Sequence, residues 1–145
     1  MRVAVIVEPE DLEVPRELKV ARVYRSLVTV CSQAIPDWNP LSLSFILTND
    51  PAVRLLNRKY RKIDRTTDVL SFRYDSDEGE IIISVPQASR QARRYRVSLI
   101  NEIKRLVIHG VLHVQGYDHV RPTERAGMRA LESRISRTAT KKGVW

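Results

Sequence analysis

His109-Gly110-Val111-Leu112-His113-Val114-Gln115-Gly116-Tyr117-Asp118-His119 holds all three histidines of a 145-residue chain. Imidazole is the commonest neutral metal ligand in proteins, so confining the whole supply to one window points to a metal site. The spacing gives the geometry. On an α-helix, residues four apart are offset by roughly 40° and about 6 Å along the axis, which sets the rings of His109 and His113 on one face. Gly116 follows three residues later, where a left-handed residue ends a helix and turns the chain back, bringing His119 toward the same ion. A lone histidine beside apolar residues is usually a helix or core residue; the triple with its glycine stop argues for one Zn2+ per chain, held by His109, His113 and His119. Three protein ligands leave a tetrahedral zinc one position for water, the catalytic arrangement, whereas a structural zinc takes four.

The same H-x-x-x-H-x-x-G-x-x-H spacing occurs in metzincin peptidases, whose helix carries a glutamate directly after the first histidine as general base. Here that place is Gly110, which cannot take a proton, so a straightforward peptidase mechanism loses its base. Outward from the window, Ser98 caps this zincin-like metal helix, and Leu99, Ile103, Leu106, Val107 and Val111 are its core face. Pro122 starts a last helix with Met128, Leu131 and Ile135 inward, and Lys141 to Trp145 read as a loose end.

Upstream, residues 2 to 7 are β-branched and read as a strand, and Pro15 opens a helix running to about Ala34 with Leu18, Ala21, Leu27, Val28, Cys31 and Ile35 as its stripe. Leu41 to Leu47 alternate as a half-buried strand. Asn49-Asp50-Pro51 opens a helix with Val53, Leu55, Leu56 and Tyr60 on one side and Arg54, Arg58 and Lys62 on the other. Val69 to Arg73 and Ile81 to Ser84 form a hairpin around the acidic turn Asp75 to Gly79, and a helix follows from about Pro86 to Tyr95. The sum is an α+β fold: a small mixed sheet of about four strands packed with about five helices, in one domain spanning residues 1–145.

Twenty-five Lys and Arg against seventeen Asp and Glu give +8, and residues 1–20 hold three basic and five acidic residues, leaving +10 on the rest. Such a field favours a polyanion, although excess charge also serves solubility. Cys31 is the only cysteine, which excludes an intrachain disulfide and fits a small buried thiol in a reducing cytoplasm. The apolar start Val3 to Val7 is too short for a signal sequence, and no stretch approaches the ~18 apolar residues that span a bilayer, so a cytoplasmic protein without membrane partners is expected.

Leu55-Leu56-Asn57-Arg58-Lys59-Tyr60-Arg61, Thr67-Asp68-Val69-Leu70-Ser71-Phe72, Gly79-Glu80-Ile81-Ile82-Ile83-Ser84 and the histidine window together make the chain recognisable: it resembles the YbeY family of bacterial rRNA-maturation endoribonucleases, whose pattern has glycine where peptidases have glutamate. The resemblance covers residues 41 to 135. It departs at Glu80, where the family commonly has aspartate, and in a shorter tail. It implies zinc on His109, His113 and His119, a functional arginine at Arg61, and a part in maturing the 3′ end of small-subunit rRNA and in ribosome quality control. The expected partners are RNA, chiefly rRNA, with the ribosomal small subunit and its maturation factors.

The chemistry is compatible with that expectation. A three-histidine zinc lowers the pKa of its water and polarises a phosphoryl oxygen without a dedicated carboxylate. Arg61 offers a phosphate two donors and a permanent charge, or else belongs to the solvated run Arg54 to Arg65. Asp118 either orients a histidine and shuttles a proton or caps the turn. Arg90, Arg93, Arg94, Arg96, Lys104 and Arg105 form a second basic group for phosphates outside the site. Tyr60, Tyr74 and Tyr95 are available to stack on bases, or belong to the core. Two further readings stand beside the nuclease: a zinc-dependent peptidase-like hydrolase, and a non-catalytic ribosome-binding factor whose zinc is structural.

Overall fold

Four short segments rich in β-branched residues form a sheet with one deep face and one shallow face. The computed structural model describes residues 1–117 and 121–145. β1 (Val3–Val7), β2 (Ser42–Thr48), β3 (Val69–Arg73) and β4 (Glu78–Ser84) lie in the order β1-β2-β4-β3. β1 pairs parallel with β2 and β2 with β4, while β3 runs antiparallel to β4 at the sheet edge. Around it are α1 (Ala21–Ala34), α2 (Asp50–Arg61), α3 (Val85–Tyr95), α4 (Leu99–Val114) and α5 (Pro122–Lys141). The fold is α+β with a mixed four-stranded sheet, as the patterning predicted. Among the described residues no helix is long and apolar enough to cross a membrane.

Period two decides which face is deep. Leu43, Phe45 and Leu47 on β2 stand opposite Gly79, Ile81 and Ile83 on β4, and this row is buried with the apolar sides of α1, α4 and α5 in one core. Fully burying a side chain such as Phe45 contributes about 1.5–3 kcal/mol, so the row outweighs any single surface interaction. The opposite face is thin: Val53 and Leu56 of α2 cover Leu70, Ile82, Ile46 and Phe72 and little else. That explains a departure from expectation in α2, where Leu55 is 54 % and Tyr60 56 % exposed instead of joining Val53 in a core.

The predicted helix from Pro15 to Ala34 is broken. Arg16–Lys19 form a separate 3-10 turn, Val20 is extended, and α1 starts at Ala21. The reason is a buried hydroxyl: Tyr24 Oη donates to the Leu18 carbonyl at 2.7 Å, and Leu18 itself is folded into the core. An unbroken helix would have used that carbonyl internally. The residues after Lys141 are not loose either. Val144 N donates to the Ala139 carbonyl, and the Trp145 ring meets Tyr24 edge-on at 4.8 Å between centroids. β4 begins at Glu78, earlier than Ile81, because residues 78–80 continue the parallel pairing with Ser42–Ser44. Cys31 is buried as expected, and burial pushes its thiol up to about 12.

Asp50 fastens the start of α2 to the strand and helix beside it. Its carboxylate accepts from Ser84 Oγ at 2.6 Å, Arg90 Nη2 at 2.7 Å and Thr66 Oγ1 at 3.2 Å. Ser84 meanwhile ends β4 and caps α3, accepting from Gln87 N at 3.3 Å. Burial works to raise the Asp50 pKa, but the Ser84 and Arg90 bonds prevail and hold it below the ordinary 3.8. A depressed carboxylate stabilises the fold above its unfolded pKa and loses that contribution as pH falls through the folded value. Asp50→Asn should therefore destabilise at neutral pH, and the gap to wild type should narrow below about pH 4, measured by urea unfolding across a pH series. A gap that stays constant with pH would show that the charge contributes nothing.

Candidate metal centre

α4 is built to present one ridge to the sheet and one to a cleft. Ser98 Oγ accepts from Asn101 N at 3.0 Å and caps its start. Its end is a Schellman turn: Gly116 takes φ +96°, its N donates to the His113 carbonyl at 2.9 Å, and Tyr117 N donates to the Leu112 carbonyl at 3.0 Å. The last turn is also clamped from outside. Arg73 Nη1 donates to the Val114 carbonyl at 2.9 Å, placing a cation at the negative helix end. Gln115 exchanges two hydrogen bonds with the Asn39 backbone, at 2.9 and 2.8 Å.

Gly110 decides how near α4 comes to the sheet. A Cβ there would lie 2.8 Å from Ile81 Cγ2 and 3.1 Å from Ser71 Oγ. The helix backbone is thus in contact with β3 and β4 at the residue next to His109. No side chain fits at position 110 at this separation, so its glycine has a packing cause as well as a chemical consequence.

His109 and His113 face each other with Nε2 atoms 3.0 Å apart. His109 Nδ1 lies 2.7 Å from Glu132 Oε1 of α5. An ionised carboxylate only accepts, so Nδ1 carries the hydrogen, and in a neutral ring the lone pair is then on Nε2, which faces His113. A carboxylate behind the remote ring nitrogen is the usual support of a metal-bound histidine. Two nitrogens bound at about 2.0–2.1 Å to a tetrahedral ion stand about 3.3 Å apart, close to the separation here, so the pair fits zinc as two of its ligands. Asp118 and His119, the predicted shuttle and third ligand, lie outside the described residues. Among the described residues no group of three His, Cys, Asp or Glu is placed to hold a metal.

The pair opens on a cleft of about 750 Å³ whose walls include Arg61, Asp68, Ser71, His109, His113 and Tyr117. Arg61, predicted from a different helix, is therefore brought to the same cleft. Its Nη2 donates to the Ser71 carbonyl at 2.8 Å, and its guanidinium carbon sits 5.1 Å from the centre of the Phe72 ring. Asp68 accepts from Val69 N at 2.8 Å and from Gln91 Nε2 at 3.2 Å, with Arg105 at 3.7 Å. Gln91 also donates to buried Glu102 at 2.6 Å. Arg105 binds Glu102 twice, at 2.9 and 2.7 Å, and that bond raises the guanidinium pKa.

Two residues of this assembly escaped the sequence reading. Glu132 sits four residues after buried Met128, an acidic position on the inward side of α5, which was the available signal. Asp68 stood inside a quoted motif without a role. The second basic group is partly dismantled. Lys104 is buried, donates to Thr140 Oγ1 at 2.7 Å and has its pKa lowered by burial, while Arg90 and Arg105 are engaged by Asp50 and Glu102.

The cleft is bounded by the free edge of β3. Ser84 N donates to the Asp68 carbonyl at 2.9 Å and Tyr74 N to the Glu78 carbonyl at 3.0 Å, so residues 68 and 74 pair inward and the alternating positions 69, 71 and 73 turn their backbone groups outward. Two of those groups are already taken: Val69 N by the Asp68 carboxylate and the Ser71 carbonyl by Arg61. An extended peptide adding to this edge would have to displace both.

The family model described as "Endoribonuclease YbeY" matches residues 6–140. Proteins named Endoribonuclease YbeY include one from Heliobacterium modesticaldum, 43 % identical over 71 % of this chain and 72 % of its own. Another, from Roseiflexus castenholzii, is 36 % identical over 87 % of this chain and 93 % of its own. The solution structure of TM1509 from Thermotoga maritima is similar in fold, with a TM-score of 0.59 at 21 % identity, over 98 % of this chain and 94 % of that one.

Gly110→Ala provides a test of the close approach. In an open helix position this change stabilises by about 0.4–1 kcal/mol. Against Ile81 it should instead destabilise by about 1–3 kcal/mol in denaturant unfolding, the range of an overpacked core. A more stable variant would place α4 farther from the sheet.

Proposed function

The chain belongs to the Endoribonuclease YbeY family, and from that premise we propose that it is a zinc-dependent endoribonuclease of single-stranded RNA, acting in rRNA maturation at the small-subunit 3′ end and in ribosome quality control. The observation that supports it best is the His109–His113 pair, with Nε2 atoms 3.0 Å apart, sharing one cleft with Arg61. Zinc held by His109, His113 and His119 supplies, when bound, Lewis acidity toward a phosphoryl oxygen and toward water.

The chain's own residues do the rest. Glu132 fixes the His109 ring and its tautomer, so the nitrogen that faces the cleft keeps its lone pair. Arg61 keeps one donor on Ser71 and presents its remaining charge to a phosphate, where a planar guanidinium serves better than an ammonium. Asp118 is assigned the movement of a proton beside the third ligand. The +10 of residues 21–145 draws a polyanion toward the cleft. The peptidase reading is disfavoured because Gly110 supplies no base and the β3 edge is already bonded. The binding-factor reading leaves unexplained an arginine brought from α2 to the histidines.

The purified chain should contain about one zinc, cleave single-stranded RNA, lose that activity on chelation and leave unstructured peptides intact. His113→Ala should lose most of the zinc by elemental analysis, since two remaining ligands rarely retain it. Chelator-sensitive proteolysis without RNA cleavage would favour the peptidase, and salt-sensitive RNA binding without cleavage the binding factor. A His109→Ala preparation made in parallel controls for contaminating nucleases.

Arg61→Ala should keep zinc and fold yet lower single-turnover RNA cleavage on the order of 10²-fold or more, as loss of a transition-state charge contact does. Near-normal cleavage would return Arg61 to the solvated face.

A further inference from the structure

Behind Arg61, on the thin face of the sheet, three aromatic rings stand in a row. Tyr60 at the end of α2 lies 5.4 Å from Phe72 of β3, and Phe72 lies 6.5 Å from Tyr74 in a near-parallel offset. Phe72 is half-buried over the small α2 core, but its two neighbours are 56 % and 59 % exposed. Cations interleave with the rings: Lys59 Nζ is 5.2 Å from the centre of Tyr60, and Arg61 covers Phe72. The Tyr74 hydroxyl donates to Glu80, which pairs with Phe72 across the hairpin, so that ring is held in place.

Large rings left open to water usually mark a binding surface, and rings alternating with Lys and Arg suit one ligand chemistry above others: unpaired bases on a phosphate backbone. Every base has a π-face that stacks on tyrosine, and the backbone finds the adjacent cations. Arg61 joins this row to the histidine cleft, since it lines the cleft and covers Phe72. We propose that Tyr60, Phe72 and Tyr74, flanked by Lys59 and Arg61, are a stacking platform for the bases of a single-stranded RNA whose scissile phosphate lies in the histidine cleft. This deepens the endoribonuclease reading and rests on it. The platform holds the strand beyond the cleft without reading its sequence, because stacking is tolerant of base identity.

The test compares two fluorescent probes of equal length and charge, a mixed-sequence single-stranded oligoribonucleotide and its abasic ribose-phosphate counterpart, against the full chain carrying its metal. Wild type should bind the base-bearing probe more tightly. Tyr60→Leu with Tyr74→Leu should lose about 30-fold or more on that probe and little on the abasic one. Tyr74→Phe, which keeps the ring but loses the bond to Glu80, should keep the preference for the base-bearing probe. Equal affinity of wild type for the two probes overturns the platform, as does a leucine variant that keeps its preference for bases. Tyrosine-dependent binding of an unstructured peptide in place of RNA would reassign the row to a protein partner and also overturn it. Base-dependent, tyrosine-dependent binding by a wild type that cleaves nothing would instead sink the endoribonuclease reading and keep the platform.

Discussion

The separation between α4 and the sheet, set where Gly110 meets Ile81 and Ser71, is the constraint on which the rest depends. With a side chain at that point the helix must lift, and the two histidines flanking it would leave the rim of β3. The contact also ties packing to chemistry. The glycine that permits it stands where a peptidase carries its base, so one atom-scale requirement both positions the two histidines and leaves no carboxylate directly after His109.

Much of this was readable from residue order because it depends on local rules. Helix periodicity placed His109 and His113 together; Ser98, Asn49 and Gly116 are end signals with a backbone cause, and each is used as such. The acidic turn after Arg73 correctly paired Val69–Arg73 with the following strand as a hairpin. Local rules failed where one element borrows an atom from another. Nothing near Leu18 announces that its carbonyl will serve Tyr24, and nothing near Trp145 announces an aromatic partner in α1. Glu132 is of the same kind: its role depends on how α5 crosses α4, a tertiary fact absent from either helix alone. Lys104 failed for a related reason, since a lysine on a helix is normally solvated and here its ammonium is met by Thr140 of α5.

The unequal faces of the sheet divide the labour. The deep face, shared by α1, α4 and α5, supplies the stability that holds the histidines and Glu132 in register. The shallow face buries only a few residues under α2, and its exposed aromatic and cationic side chains are the consequence of that economy of cover. β3 belongs to both faces: its outward backbone groups border the cleft while Phe72 looks the other way.

The hydrogen bond from Arg61 to Ser71 has one more implication. A free arginine gives up roughly 2 kcal/mol of rotamer entropy when immobilised. Here the backbone carbonyl and the Phe72 ring already restrict the side chain before any anion arrives. Part of the ordering penalty is thereby transferred from the encounter to folding, where it is met once for the lifetime of the molecule. The guanidinium is a preorganised charge, and its attraction for an incoming group is less diluted by its own freedom than that of a fully solvated arginine.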